Sequence, residues 1–473
     1  MAGSTRRRTE PVDAIWLSMD RPSNRMVIVT LMFLASPPDW DEVVRIVRTR
    51  VLDRYPVFHQ HPVAPPLGVG LPRWEDDPAF DLDRHVTRMT LAEPGDDAAL
   101  QSHVEEYLHL SFDPRHPLWE VQLIDGHGDG AVVFGRIHHA MADGISLARV
   151  LLSMTDAVGS RRGRRGRVRA PAPEREAARD ESPPEAADGR AGGLGGSVVA
   201  GAALVRDGLG QVVRLGTPSG GMALVQSGIL AAEVAAQLLL THTRASPLGG
   251  EPSAYKRVVW TRPLPLDALK EVAHLEGGTL NDVLMGAMAG ALCRYQQGHG
   301  ASPVDLVTMV PVNLRPLDRP LPSTLGNRFA LVFFTYPSGT TQPLARLAET
   351  KRRMDWLKRS PEAPMTFALM GLIARTVPPV ERALVDFFAN KAIGVTTNVA
   401  GPRSPRLLGG VPVTGVLGWV PGSGHHTLGT CIFTYAGTVR VGLMADAGVV
   451  HDPEELLAAF EDEVAALVRL ADR

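Results

Sequence analysis

The sequence predicts a mixed α/β fold in two lobes, and three observations carry that prediction. The length of 473 residues is too great for one ordinary core and suits two domains of roughly 150 to 220 residues with a connector. Strand-length runs of β-branched and aliphatic residues alternate with stretches at helical spacing in both halves of the chain, as expected for sheets covered by helices. Between the halves, over residues 160–195, aliphatics almost vanish. The lobes are therefore set at residues 1–159 and 251–473, with a disordered charged linker over 160–195 and an apolar helical connector over 196–250.

Taken in order, Val27 to Leu34 reads Val-Ile-Val-Thr-Leu-Met-Phe-Leu, a run that suits a strand buried on both faces. Asp39 to Tyr55 shows helical spacing. Strands at Trp119 to Ile124 and Ala131 to Ile137 bracket Asp125-Gly126-His127-Gly128-Asp129-Gly130, which is hairpin turn chemistry. After Gly144, the residues Ile145, Leu147, Val150, Leu151 and Met154 lie at helical spacing, so the pair His138-His139 falls between a strand end and a helix start.

The linker holds six arginines within Arg161 to Arg169 and reads as a solvated tether. In the connector, the apolar run Met222 to Leu240 is the best candidate for membrane-surface contact, with helices packed on a lobe as the plainer alternative, because its polar residues form no basic face. The second lobe opens on a strand at Arg257 to Thr261 and a helix at Leu266 to Leu275. Thr279-Leu280-Asn281-Asp282 then resembles a capping box before the helix Val283 to Tyr295. Strand-like runs recur at Val304 to Val312, Phe329 to Tyr336, Ile393 to Asn398, Thr430 to Tyr435 and Val439 to Ala445.

Composition excludes several function classes. With 44% hydrophobic and 21% charged residues and a formal net charge of −2, the whole chain has no electrostatic drive toward nucleic acid or an anionic membrane, and any such attraction must be local. Two cysteines, Cys293 and Cys431, supply neither a disulfide framework nor a metal-knuckle spacing. Arg6-Arg7-Arg8 is not followed at once by an apolar stretch, and Met26 to Ala35 is too short to span a bilayer, so neither a signal peptide nor a spanning helix is expected. There is no glycine-rich phosphate loop.

The chemistry centres on His138-His139-Ala140-Met141-Ala142-Asp143-Gly144. A neutral imidazole, with a pKa near 6.5, is suited to deprotonating a hydroxyl as it attacks an acyl carbon. Adjacent side chains at a strand end point to opposite faces, so one of His138 and His139 looks into a cleft while the other faces the core. Asp143 can fix the loop by pairing with an arginine, and Gly144 permits a positive φ or close approach of substrate. Both histidines and Asp143 also invite a metal reading, but no further His or carboxylate cluster lies nearby in the sequence, so no metal is expected.

The motif His138-His139-xxx-Asp143-Gly144 resembles the active-site motif of chloramphenicol acetyltransferase, peptide-synthetase condensation domains and the bacterial wax ester synthase/diacylglycerol acyltransferase family. The flanking segments resemble the last of these: Asp13-Ala14-Ile15-Trp16-Leu17, Pro117-Leu118-Trp119-Glu120, Asn281-Asp282-Val283, Pro311-Val312-Asn313-Leu314-Arg315, Gly326-Asn327, and Asn398-Val399-Ala400-Gly401-Pro402. Each is short, and their shared order is the specific signal. The resemblance spans nearly the whole chain except the linker. Ala400 stands where the family usually has proline, and His425-His426 lacks a following Asp-Gly, so that second pair is read as structural or channel-lining.

The resemblance implies two chloramphenicol-acetyltransferase-like lobes with a reaction channel between them. It implies an O-acyltransferase with acyl-coenzyme A as co-substrate, no bound cofactor, and diacylglycerol or a long-chain alcohol as acceptor, at the cytoplasmic membrane face or a lipid-droplet surface. His139 becomes the base, Asp143 the loop-fixing partner, and Asn281 and Asp282 second-lobe residues needed for activity. The residues themselves leave other readings open. Asn281 and Asp282 also suit helix capping, Trp119 suits the core, and Arg315 is a candidate partner for Asp143. A carrier-protein thioester or polar acceptor is the rival chemistry, and a non-catalytic lipid-binding protein the rival class.

Overall fold

The computed structural model describes residues 7–65, 70–158, 244–315 and 320–471. The linker over 160–195 and the run Met222 to Leu240 lie outside the described residues, as does the connector apart from residues 244–250.

Among the described residues, two seven-stranded sheets and one small sheet form the frame. The first large sheet runs in the order Val86–Thr90, Trp119–His127, Gly130–His138, Val27–Leu34, Val411–Trp419, Arg406–Leu408 and Asp156–Ala157. In the second, Leu264–Pro265 is followed by Thr438–Asp446, Leu428–Tyr435, Gly394–Ala400, Leu306–Asn313 and Phe329–Tyr336, with Lys256–Trp260 also paired to Thr438–Asp446. The small sheet joins Arg7–Arg8, Arg73–Asp76 and Gln60–Val63.

Val27–Leu34 forms where the sequence placed it and lies in the middle of its sheet, with Thr30 its one part-exposed residue. The unbroken apolar run follows from cover on both faces. Ile28, Met32 and Leu34 join the core that holds Trp119 and Leu147, while Val29, Leu31 and Phe33 meet Leu100 and Val104 of the helix Asp97–Leu108. The expected hairpin pairs Trp119–His127 with Gly130–His138, and Gly126 and Gly128 turn it with φ of 80° and 55°. The helix expected from Asp39 is shorter than its apolar spacing: Trp40–Val47, capped by Asp39 at 2.9 Å from Glu42 N, passes into a wider turn over Arg48–Leu52.

The division of the chain differs from the expected boundaries. Val411–Trp419, placed by sequence in the second lobe, adds to the first sheet beside Val27–Leu34, with Trp419 opposite Val29. Its Val-Pro-Val-Thr-Gly-Val-Leu-Gly-Trp run is a poor strand signal because proline and glycine interrupt it. The crossing needs one of those glycines, since a Cβ on Gly418 would lie 2.8 Å from the Val29 carbonyl oxygen. Leu417 and Trp419 then pack with Val258 and Trp260 from the edge of the second sheet, giving the lobes a shared core.

The second lobe buries its sheet against helices. Leu280–Gly298 begins at the expected capping box: Thr279 Oγ1 accepts from Asp282 N at 3.3 Å, and Asp282 Oδ2 accepts from Thr279 N at 2.8 Å. Its small buried residues, Gly286, Ala287, Gly290 and Ala291, allow the helices Pro343–Arg359 and Pro453–Ala471 to pack closely. Two further helices, Glu362–Ile373 and Pro378–Ala389, contact the first helix of the chain, Pro11–Met19.

Candidate active site

The histidine loop lies where the lobes meet. His138 ends its strand opposite Val27, and His139 N donates to Met26 O at 2.7 Å. Both side chains are buried, in different surroundings. His138 Nδ1 accepts from Ala140 N at 3.1 Å, so this ring holds its own turn; burial pushes its pKa down to about 3. The His139 ring stacks on Trp16 at 4.2 Å and 21° and meets Phe329 at 5.5 Å. Burial lowers its pKa to about 4, against smaller raising effects that include the Asp143 charge and Asn327.

Asp143 caps the helix Gly144–Ser153, its Oδ1 accepting from Ser146 N at 2.7 Å. Its other oxygen accepts from Arg328 N at 3.1 Å and lies 3.5 Å from Arg315 Nε. The expected Asp143–Arg315 pairing is therefore present as a close charge contact, with Arg315 Nη2 spent on the carbonyls of Leu325 and Gly326, the latter at 2.7 Å. Gly144 is not in a left-handed conformation, contrary to one of its two expected uses: it is the first helical residue, and a Cβ there would meet Val420 at an ordinary 3.7 Å. The left-handed glycine is Gly326, at φ 65°, where a Cβ would approach Asp13 Oδ2 to 3.1 Å.

Asn327, on the second lobe, ties these parts together. Its Nδ2 donates to Asp13 Oδ1 and to the His139 carbonyl, each at 2.8 Å, and its backbone N also donates to Asp13 Oδ1 at 2.8 Å. The amide orientation follows from this, because both Nδ2 partners are acceptors. Asn327 Oδ1 must then be the atom 3.0 Å from His139 Nδ1, and Nδ1 must carry the proton it donates. Nε2 keeps its lone pair, with no hydrogen-bond partner among the described residues. Asp13, on the helix Pro11–Met19, is fully buried; burial raises its pKa to about 6, against lowering by the two Asn327 bonds.

Asn281 and Asp282 form a separate cluster. Asp282 completes the capping box, and Asn281 Oδ1 accepts from Asn398 Nδ2 at 3.0 Å, joining two of the sequence motifs. Neither hydrogen-bonds to His139, Asp143 or Arg315. Trp119 is a core residue: its Nε1 donates to Phe58 O at 2.9 Å and its ring stacks on His85 at 4.7 Å. His426 is structural, with Nε2 donating to Ala389 O at 2.9 Å and Nδ1 accepting from Ser423 N at 3.1 Å. Among the described residues the metal-like grouping is His299, Asp452 and Glu455, which excludes the histidine loop.

Asp13, Trp16 and Asn327 were present in the sequence motifs without an assigned role. The signal that could have found the first two is their spacing: residues three apart on a helix share a face, so a carboxylate and an indole were due to point the same way.

A family model described as the wax ester synthase/diacylglycerol acyltransferase catalytic domain matches residues 10–284, and one described as the WS/DGAT C-terminal domain matches residues 325–468. A probable diacylglycerol O-acyltransferase of Mycobacterium tuberculosis is 29% identical over 420 residues, which are 86% of this chain and 84% of that one. The solved wax ester synthase/diacylglycerol acyltransferase from Marinobacter aquaeolei VT8 superposes with a TM-score of 0.66 at 19% identity, over 99% of this chain and 100% of that one. The starter condensation domain of rhizomide synthetase superposes with a TM-score of 0.55 at 16% identity, over 99% and 94%. The expected fold of two chloramphenicol-acetyltransferase-like lobes is thereby borne out.

Proposed function

The chain belongs to the wax ester synthase/diacylglycerol acyltransferase family, and from that premise we propose that it moves a fatty acyl group from acyl-coenzyme A to the hydroxyl of diacylglycerol or a long-chain alcohol, with His139 Nε2 as general base. The observation that carries this reading is the Asn327 amide, whose two fixed donor contacts oblige His139 Nδ1 to hold the proton. An imidazole held in that tautomer presents a free lone pair.

In the reaction, Nε2 accepts the hydroxyl proton while the alcohol oxygen bonds to the thioester carbonyl carbon. The C–S bond then breaks, and the imidazolium returns its proton to the departing coenzyme A thiolate. No covalent enzyme intermediate is required. As the ring gains charge, Asn327 Oδ1 accepts from Nδ1–H at 3.0 Å and the Trp16 face lies 4.2 Å away, both favourable to a cation. A pKa pushed down to about 4 by burial keeps the ring neutral before each turnover. Asp143 and Arg315 act on the loop and on Gly326 rather than on the proton, and Asn281 and Asp282 brace the second lobe.

No helix among the described residues is long and apolar enough to cross a membrane, and a lipid acceptor calls for peripheral contact at the cytoplasmic membrane face or a droplet surface. The test is product analysis with purified protein and labelled palmitoyl-coenzyme A, offering diacylglycerol, hexadecanol and short polar alcohols in parallel. Label in triacylglycerol or wax ester is expected; label only in a polar ester would replace the acceptor assignment.

A further inference from the structure

The helices Glu362–Ile373 and Pro378–Ala389 present apolar side chains to solvent where an ordinary surface helix would not. Leu372 is 64% exposed, Val377 62%, Val380 45% and Phe387 48%. On the second helix the exposed Val380, Ala383 and Phe387 and the half-buried Leu384 fall at i, i+3, i+7 and i+4, the spacing of an apolar stripe. That stripe faces outward, because Glu381, Val385 and Ala389 take the inward side. The first helix is apolar nearly all round, from Met365 to Ile373 without a charge, yet only Thr366 and Ile373 in that stretch are fully buried.

Charge on the same surface is one-sided. Arg375 and Arg382 are exposed and have no carboxylate partner among the described residues. The nearby acids are already engaged: Glu381 is buried against Ser18, and Asp386 pairs with Arg21 at 3.0 Å. Exposed aliphatic and aromatic side chains interleaved with unpaired arginines suit insertion at the headgroup boundary of an anionic bilayer. The same contacts tie the hairpin to the helix Pro11–Met19, which carries Trp16 against His139, and Met370, Ala374 and Val385 pack into the core beneath it.

We propose that residues 372–387 are the surface by which this protein docks on an anionic lipid bilayer, delivering a lipid acceptor beside His139. The proposal rests on the acyl-transfer reading for its purpose, but not for its test. Full-length protein would be floated with vesicles of phosphatidylcholine alone or mixed with phosphatidylglycerol. Wild type is expected to float with the mixed vesicles, less so as salt rises. Val380→Ser/Phe387→Ser and Arg375→Glu/Arg382→Glu should each partition roughly tenfold more weakly or worse. Turnover on vesicle-borne diolein should fall in parallel while turnover on a soluble short-chain alcohol is retained.

Wild-type flotation by both variants would overturn the proposal. So would a concentration-dependent dimer that both variants abolish, since the patch would then be a protein interface. An environment-sensitive label on Phe387→Cys should shift to the blue only when vesicles are added; a shift in their absence would mean that the chain covers the patch itself, and would also overturn it. If wild type makes no ester from any alcohol, the acyl-transfer reading fails, and flotation still decides the docking surface.

Discussion

Replacing Asn327 with leucine removes the amide while keeping its branched shape, and its consequences follow from three contacts. The variant loses the acceptor 3.0 Å from His139 Nδ1 and leaves Asp13 Oδ1 and the His139 carbonyl without their side-chain donor. A hydrogen bond to a charged group contributes about 1.5–3 kcal/mol, and the imidazole is charged only after it takes the proton. The loss should therefore fall on the transition state, lowering kcat roughly 10- to 160-fold with little change in KM. The His139 carbonyl is orphaned at a cost of about 1–3 kcal/mol, while Asp13 Oδ1 keeps the backbone N–H of residue 327, so the melting temperature should fall as well. The assay is coenzyme A release with kcat and KM resolved across pH, alongside circular dichroism to establish that the variant is folded. The exchange Asp13→Asn/Asn327→Asp returns an oxygen to Nδ1 and a donor at position 13, and should recover part of kcat where a merely structural defect would not respond. A folded Asn327→Leu enzyme with unchanged kcat would refute the reasoning.

Acid stability follows from the buried histidines. His138, His139 and His426 have pKa values pushed down to about 3, 4 and 4, so below pH 6.5 the unfolded chain binds protons that the folded chain does not. Stability should fall as pH drops from about 6.5 toward 4, by up to about 1.4 kcal/mol per pH unit for each histidine. Asp13, raised to about 6, and Glu362, raised to about 7 by burial, act in the opposite sense between their ordinary values and those figures; two such groups against three histidines leave the net slope downward. Denaturant titrations across that range check it, and a flat or rising stability would contradict it. Gly326→Ala should lose about 1–2 kcal/mol for the left-handed backbone alone, and activity beyond that, because the methyl group crowds Asp13 Oδ2; wild-type melting would be the contrary result. Trp119→Ala should cost about 3–5 kcal/mol of stability while the folded fraction at low temperature keeps its kcat. A selective loss of kcat would make the indole a substrate contact instead.

Much of the fold was legible because its strands are self-announcing. Val27–Leu34 and Phe329–Tyr336 are continuous β-branched and aromatic runs of the right length, and both formed as expected. The strand Val411–Trp419 was hidden for a physical reason: Gly418 makes close passage of another backbone possible, and the same residue weakens the local signal. The histidine loop was legible as a motif, but its electronic state was not. That state is set by Asn327, 188 residues away in sequence, and by Asp13 beyond it, a contact created only when the lobes close on each other. Capping residues behaved in the opposite way: Asp282 and Thr279 declared their role locally, because a capping box is built within four residues.

The most direct test of the account compares wild type with His139→Ala for ester formation from palmitoyl-coenzyme A and diolein, counting coenzyme A released and triacylglycerol formed in the same reaction. Wild type should give the two products in equal amounts, and the folded variant should be slower by a factor on the order of 100 to 10,000, the usual contribution of a general base. Near wild-type ester formation by His139→Ala would contradict the assignment of His139 Nε2 as the base.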